Sequence, residues 1–97
     1  MVRYSLCFGV YAGSDQVGFA RAITDRTTFA YLADVFILEA HRGHGLGTWL
    51  VSSILQYPEL RDVGSWMLAT LDAHGLYARF GFKALASPER YLVRRPG

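Results

Sequence analysis

The residues with the clearest chemical use lie in one glycine-rich segment, Arg42-Gly43-His44-Gly45-Leu46-Gly47-Thr48. It stands between an apolar run and a helical pattern, which predicts a helix N-terminus. There the backbone N–H groups have no partner within the helix and carry the positive end of the macrodipole. Glycines let an anion approach this backbone, and Arg42 adds a planar charge that can bridge phosphate oxygens. The segment therefore predicts a phosphate site, the alternative being a plain glycine-rich turn.

Two familiar phosphate motifs do not fit this segment. A P-loop requires Gly-Lys followed by Ser or Thr, which is absent, and the dinucleotide motif requires glycine where Leu50 stands. His41 and His44, with Glu39 nearby, have a spacing that suggests zinc. Catalytic zinc needs three protein ligands in a fixed geometry, and phosphate explains the loop better, so we expect no metal.

The first third of the sequence predicts strands that position this segment. Residues 6–11 and 17–24 alternate between apolar and other side chains around the turn formers of residues 12–15, which predicts a hairpin. A second turn is expected at residues 25–28. The run from 29 to 38 is apolar on both faces apart from Asp34, as in a central strand covered on both sides. Cys7 is expected to be a buried, inert thiol.

Past the glycines the apolar period becomes helical. Leu46, Leu50 and Ile54 share one helix face, and Pro58 stops the helix. We expect a strand at 66–71, a short helix at 73–80 capped by Asp72 and ended by Gly81, and a short strand at 82–85. Residues 88–93 form either an edge strand or a turn.

The resulting order, β-β-β-α-β-α-β, predicts one domain over residues 1–97. A strand, a glycine-opened helix and a further strand imply a crossover between parallel strands, whereas the hairpin adds antiparallel pairing. The fold class is therefore an α/β (α+β) three-layer sandwich with a mixed central sheet.

A second motif follows the predicted fourth strand, as Ala73-His74-Gly75-Leu76-Tyr77-Ala78-Arg79-Phe80-Gly81-Phe82. Together with Arg42-x-x-Gly-x-Gly before a helix, it resembles the two signatures of the GCN5-related N-acetyltransferase (GNAT) superfamily. The resemblance runs from about residue 6 to 85. It implies transfer of an acetyl group from acetyl-CoA to the amine of an unidentified acceptor, either a small molecule or a peptide.

The resemblance also implies roles for particular residues. The backbone of Phe36, Ile37 and Leu38 would run beside the pantetheine arm of the cofactor. The pyrophosphate would be held by Arg42 and by the amides of Gly43, His44, Gly45, Leu46, Gly47 and Thr48. Tyr77 falls on the position of the family's general acid. Thr70 stands where many members have asparagine, and Asp72 or His74 could take over the hydrogen bond of that asparagine to the cofactor.

The chemistry sets requirements on these residues. The acceptor amine must be neutral to attack, and Asp34 is the candidate base. The alternative is that Asp34 serves a hydrogen-bond network or faces solvent at a bulge. A strand N–H near Phe36 would stabilise the oxyanion. Proton transfer from a tyrosine of pKa about 10 to a thiolate of pKa about 8.5 is uphill by about 2 kcal/mol. Tyr77 therefore helps only if its pKa is lowered or if the transfer follows departure of the thiolate.

Composition narrows the function classes. The chain has 97 residues, a net charge of +2, 19% charged and 14% aromatic side chains, and one cysteine. This is a folded composition without a disulfide framework, and its interspersed charges predict neither nucleic-acid nor membrane partners. No apolar run of about 20 residues occurs, and the first residues do not resemble a signal peptide, so we expect a cytoplasmic protein.

The length predicts an N-terminally shortened family member. Chains that resemble this family begin with a further strand and one or two helices, which wall the acceptor site. Without them a sheet edge and an apolar face are uncovered, and we expect a homodimer to bury that edge. The alternatives to an enzyme are a non-catalytic acyl-CoA-binding or regulatory module and, with less support, an interaction domain without cofactor.

Overall fold

The computed structural model describes residues 4–71 and 73–95, so the predicted roles of Asp72 lie outside the described residues. The strands form one four-stranded sheet in the order β1-β2-β3-β4. They are β1 (Tyr4–Ala12), β2 (Asp15–Thr24), β3 (Phe29–Ile37) and β4 (Ser65–Leu68). The α-helices are α1 (Leu46–Leu55) and α2 (His74–Ala78), and single 3₁₀ turns span Glu39–His41 and Pro88–Arg90.

Strand pairing confirms the predicted mixed sheet. Strands β1 and β2 pair antiparallel, as do β2 and β3, whereas β3 and β4 pair parallel. Helix α1 lies between β3 and β4 in sequence, so it forms the crossover that a parallel pair requires. The α/β fold class is confirmed, and two layers of the expected sandwich lie within the described residues.

The turn between β2 and β3 is organised by one carboxylate. Asp25 accepts hydrogen bonds from the N–H groups of Thr27, Thr28 and Phe29 at 2.8–3.1 Å and from the Thr28 hydroxyl. These bonds, led by that of the Thr28 hydroxyl, hold the pKa of Asp25 well below its usual range. The turn predicted at residues 25–28 is therefore confirmed.

One face of the sheet carries the core. Leu50, Val51 and Ile54 of α1 are buried with small and branched side chains of the sheet, namely Val10, Val17, Ala20, Ala22 and Leu32. The opposite face is partly open: Tyr31 and Ala33 are half-buried and Cys7 is exposed. The prediction that β3 is covered on both sides is therefore wrong for the described residues. The prediction that Cys7 is buried is also wrong. Cys7 alternates with the core-facing residues of β1 and points to the uncovered face.

The expected strand at 82–85 does not form. The Phe82 N–H donates to the Tyr77 carbonyl at 3.2 Å and its ring packs on Tyr77. These contacts hold the chain at the end of α2 rather than along the edge of β4. Of the two alternatives for residues 88–93, the turn is observed, as the 3₁₀ turn at Pro88–Arg90.

Across residues 4–71 and 73–95, every helix is too short or too polar to cross a bilayer. The cytoplasmic location stays a prediction.

Candidate active site

A β-bulge in β3 opens the sheet. Phe19 pairs with Phe36 and Arg21 with Ala33, so two residues of β3 stand opposite Ala20 alone. One of them, Asp34, has a φ of 56°, in the left-handed region. Bulges of this kind bend a strand and re-aim its side chains.

Beyond the bulge, β3 and β4 separate. Their pairing ends at Leu32 and Leu68. From residue 33 to 37, one edge of β3 therefore has no strand beside it within the described part of the chain. An unpaired edge presents main-chain donors and acceptors to an extended ligand.

The backbone of Ile37 faces this open edge. The Leu38 N–H donates to the Val17 carbonyl of β2 at 2.7 Å. Because strand groups alternate in direction, Phe36 also points toward β2 and Ile37 points away from it. The contact with Arg42 supports this orientation, because the Arg42 Nε donates to the Ile37 carbonyl at 2.9 Å. The oxyanion donor expected near Phe36 is therefore not the N–H of Phe36 itself, and the N–H of Ile37 lies on the correct edge.

The glycine segment presents a cluster of backbone donors. Gly43 and Gly45 have φ values of 85° and 76°, and Gly45 precedes the first residue of α1. The first bond of the helix runs from the Trp49 N–H to the Gly45 carbonyl at 3.0 Å. Among the described residues, the backbone N–H groups of residues 43–48 have no hydrogen-bond acceptor. These donors and the helix dipole suit a phosphate.

Gly47 is a glycine that the fold does not require. Its φ is ordinary, and an added Cβ would meet only the Leu76 side chain, at 3.8 Å. Alanine would favour the helix by about 1 kcal/mol. Gly47 lines a cleft, so the missing side chain leaves room there for a ligand to approach the backbone.

The open edge and the glycine segment line one cleft of about 520 Å³. Its walls also include His41, Arg42, Ala73, Leu76 and Tyr77. A second cleft, of about 430 Å³, contains Asp34, Thr70 and the ends of β3 and β4. The two clefts share Val35, Ala73 and Tyr77, so Tyr77 lies where they meet.

Tyr77 is held by the end of α2. Gly81, with a φ of 87°, donates its N–H to Ala78, and Phe82 donates to Tyr77, which is the Schellman pattern. The rings of Tyr77 and Phe82 meet edge to face at 5.7 Å. Burial raises the pKa of the Tyr77 hydroxyl above its ordinary value. Of the two conditions set for an acid at this position, a lowered pKa is therefore not met.

Thr70 and Asp34 are both engaged by the protein. The Thr70 hydroxyl oxygen accepts from the Ala73 N–H at 3.1 Å, which steadies the start of α2. Asp34 forms an ion pair with Arg21, with Nη2 and Oδ2 2.7 Å apart. The position of Asp34 is compatible with both alternatives. It lies at a bulge and is exposed, as a residue without a catalytic role would be, and it also lines a cleft, as a base must.

The structure brings together most residues that the sequence nominated. The first cleft is lined by Phe36, Ile37, Arg42, Gly43, Gly45, Leu46, Gly47, Thr48 and Tyr77, and the second by Asp34, Thr70 and Tyr77. Leu38, His44 and His74 are exposed and line neither cleft. The Leu38 N–H is already bonded to β2. His44 lies in the bend before α1 and His74 is the first residue of α2, and both are exposed to solvent.

Sequence reasoning missed four lining residues: Val35, His41, Ala73 and Leu76. A signal existed for two of them, because residues 73, 76 and 77 share one helix face by their spacing. Within the described residues, His, Cys, Asp and Glu side chains do not gather in threes as a metal site requires.

Comparison with known proteins agrees with this arrangement. The family profile described as "Acetyltransferase (GNAT) domain" matches residues 3–84. The chain belongs to the GNAT family.

Individual relatives of this GNAT chain include fungal and bacterial proteins. A Gibberella zeae protein named as an acetyltransferase, FG08082, is 35% identical over 80% of this chain and 55% of its own length. A GNAT-family acetyltransferase structure from Xanthomonas campestris is 47% identical, with a TM-score of 0.88 over 95% of this chain and 65% of that one. A GNAT-family structure from Streptococcus pneumoniae, 20% identical, shares the fold with a TM-score of 0.77, over 94% of this chain and 70% of that one.

The chain thus spans between half and two thirds of the length of its more similar relatives.

Proposed function

We propose that this protein transfers an acetyl group from acetyl-CoA to an amine, by direct attack of the amine on the thioester. One observation carries the proposal: a single cleft joins three features, namely the edge of β3 that no described strand pairs with, the N–H groups of residues 43–48 that lack an acceptor among the described residues, and Tyr77. An extended thioester with phosphates at one end matches these three features, with its thioester at Tyr77, its arm along β3 and its phosphates at residues 43–48.

The donor half of the site follows from the contacts. The pantetheine arm lies along the open edge of β3 like an added strand and donates to the second lone pair of the Ile37 carbonyl, which leaves the Ile37 N–H for the thioester oxygen. The pyrophosphate lies on the N–H groups of residues 43–48. Arg42 is anchored to the Ile37 carbonyl by Nε, which leaves its two terminal nitrogens for phosphate oxygens.

The reaction then needs three groups near the thioester. The amine nitrogen bonds to the carbonyl carbon of the thioester, and the resulting oxyanion accepts a hydrogen bond from the Ile37 N–H. The C–S bond breaks, and the departed thiolate takes a proton from Tyr77, whose raised pKa keeps it protonated until then. The proton of the amine goes to the Asp34 carboxylate, directly or through water.

A non-catalytic acyl-CoA-binding module is the second candidate. It is favoured by the ion pair between Arg21 and Asp34, which occupies the proposed base. Such a module would bind acyl-CoA through the same residues but would not transfer the acyl group to an amine.

Two measurements separate these functions. Calorimetry with CoA should show one site per chain, and the absence of binding would exclude both candidates. A thiol-release assay with acetyl-CoA and a broad amine panel should then show release above hydrolysis. Saturable CoA binding without release from any amine would contradict the enzyme and support the module.

A further inference from the structure

Arg21 and Asp34 form a charge pair beside the second cleft, where we place the acceptor amine. Their side chains are 41% and 55% exposed, so a ligand can reach both. Asp34 also lines the second cleft beside Tyr77, whereas Arg21 lies outside it on the uncovered sheet face. The pair therefore extends from the proposed reaction centre onto that face.

The fold brings these two side chains together by an unfavourable backbone conformation. Ala33 is directly opposite Arg21, so regular alternation would turn Asp34 to the other face of the sheet. The left-handed φ of Asp34 at the bulge directs its carboxylate to Arg21 instead. Strained residues of this kind are concentrated at functional sites.

Stability alone does not account for this pair. An exposed ion pair contributes little to folding. Arg21 Nε is also buried without a hydrogen-bond partner among the described residues, which is a cost to the folded state. Binding of a ligand to both charges would explain why this pair is present despite its cost.

Two aromatic rings lie next to the pair. Phe19 and Phe36 face each other across β2 and β3, with ring centroids 6.2 Å apart. Phe36 is 45% exposed and also lines the first cleft. The exposed ring offers an apolar surface beside the two charges.

We propose that the acceptor is an α-amino acid with an apolar or aromatic side chain, an inference that rests on the proposed acetyl transfer. Its amine lies at Asp34 and its carboxylate binds Arg21, so the zwitterion replaces the internal ion pair with two pairs of its own. Its side chain packs on Phe36. Once the Asp34 carboxylate has taken a proton from the ammonium and passed it to water, the neutral nitrogen attacks the thioester. The second proton of the nitrogen then goes to Asp34, the C–S bond breaks, and Tyr77 protonates the thiolate, so that an N-acetyl amino acid and CoA are released.

The test compares L-phenylalanine with L-phenylalaninamide as acceptors. Both carry the ring and the amine, and only the first has a carboxylate. The measured quantity is the ratio of their kcat/KM values, because the ratio within one variant cancels effects on the donor half. Arg21→Gln should lower the ratio of acid to amide about tenfold or more, and Arg21→Lys should restore part of it.

Other outcomes overturn the inference. An equal fall for both acceptors in Arg21→Gln would mean that Arg21 only positions Asp34. Acetylation of the amide but not of the acid by the wild-type protein would exclude the class. CoA calorimetry on Arg21→Gln should match the wild type, which controls for folding.

The proposed function and this inference fail differently. Without thiol release from any amine, both are wrong. Release with simple alkylamines but not with amino acids leaves acetyl transfer in place and removes the amino-acid acceptor alone.

Discussion

Tyr77 is the residue on which the proposed acetyl transfer depends most. Tyr77→Phe keeps the ring contact with Phe82 and removes only the hydroxyl. We expect kcat to fall about 100-fold, as for loss of a general acid, with the Kd for CoA unchanged. The measurement is steady-state thiol release alongside calorimetry, with a confirmed acceptor. Unchanged turnover would remove Tyr77 from the mechanism.

Asp25 gives a prediction about pH. Its pKa is lowered in the folded protein, so its contribution to stability is present above the unfolded value of about 3.9 and is lost as the pH falls below it. Asp25→Asn keeps an oxygen acceptor but cannot titrate. Urea unfolding between about pH 7 and pH 3 should therefore show a steeper loss in the wild type than in the variant. Parallel curves would contradict the role of this carboxylate.

The sequence predicted which residues could do chemistry better than it predicted what surrounds each of them. Tyr77, Arg42 and the glycines were identifiable because their types and spacing are local properties. The left-handed Asp34 was not, because an acid within an apolar run is compatible with several backbone conformations. Its partner Arg21 received no role, since pairing across strands depends on register.

The second helix sets the position of Tyr77 through its C-terminal cap. Gly81 has a φ of 87°, which an L side chain adopts only with strain. Gly81→Ala should lower the free energy of unfolding by about 1 kcal/mol and reduce thiol release, because the Tyr77 and Phe82 contact loosens. Chemical denaturation checks the first effect. A variant as stable and active as the wild type would show that the cap is not required.

Other elements followed from local patterns to differing degrees. The hairpin, the turn at residues 25–28 and helix α1 were predictable because alternation, turn formers and a helical period are all local signals. The strand expected at 82–85 failed because it depended on reaching the distant edge of β4. Alternation also identified the strand that contains Cys7 but not which face the helix covers.

Among residues 4–71 and 73–95, nothing covers the outer edge of β1, and one face of the sheet is partly open. Within the described part of the chain, β1 has β2 as its one neighbour in the sheet, and its Cys7 and Tyr11 are exposed. We propose that a second copy pairs along this edge, because an open strand edge readily pairs with another strand. Light scattering should give twice the chain mass, and Cys7→Arg should shift the protein toward monomer. A monomer at working concentration would contradict the dimer.

Acyl-CoA binding by the glycine segment is the step on which every other part of the proposed mechanism depends. Gly47 and Gly75 are matched for its test: both are helical glycines with room for a methyl group, and only Gly47 lines the cleft. Calorimetry with CoA on Gly47→Ala and Gly75→Ala is the most direct measurement. We predict that Gly47→Ala weakens CoA binding about tenfold or more without loss of stability, whereas Gly75→Ala binds as the wild type does. Equal CoA affinity in both variants and the wild type would contradict acyl-CoA binding at the glycine segment.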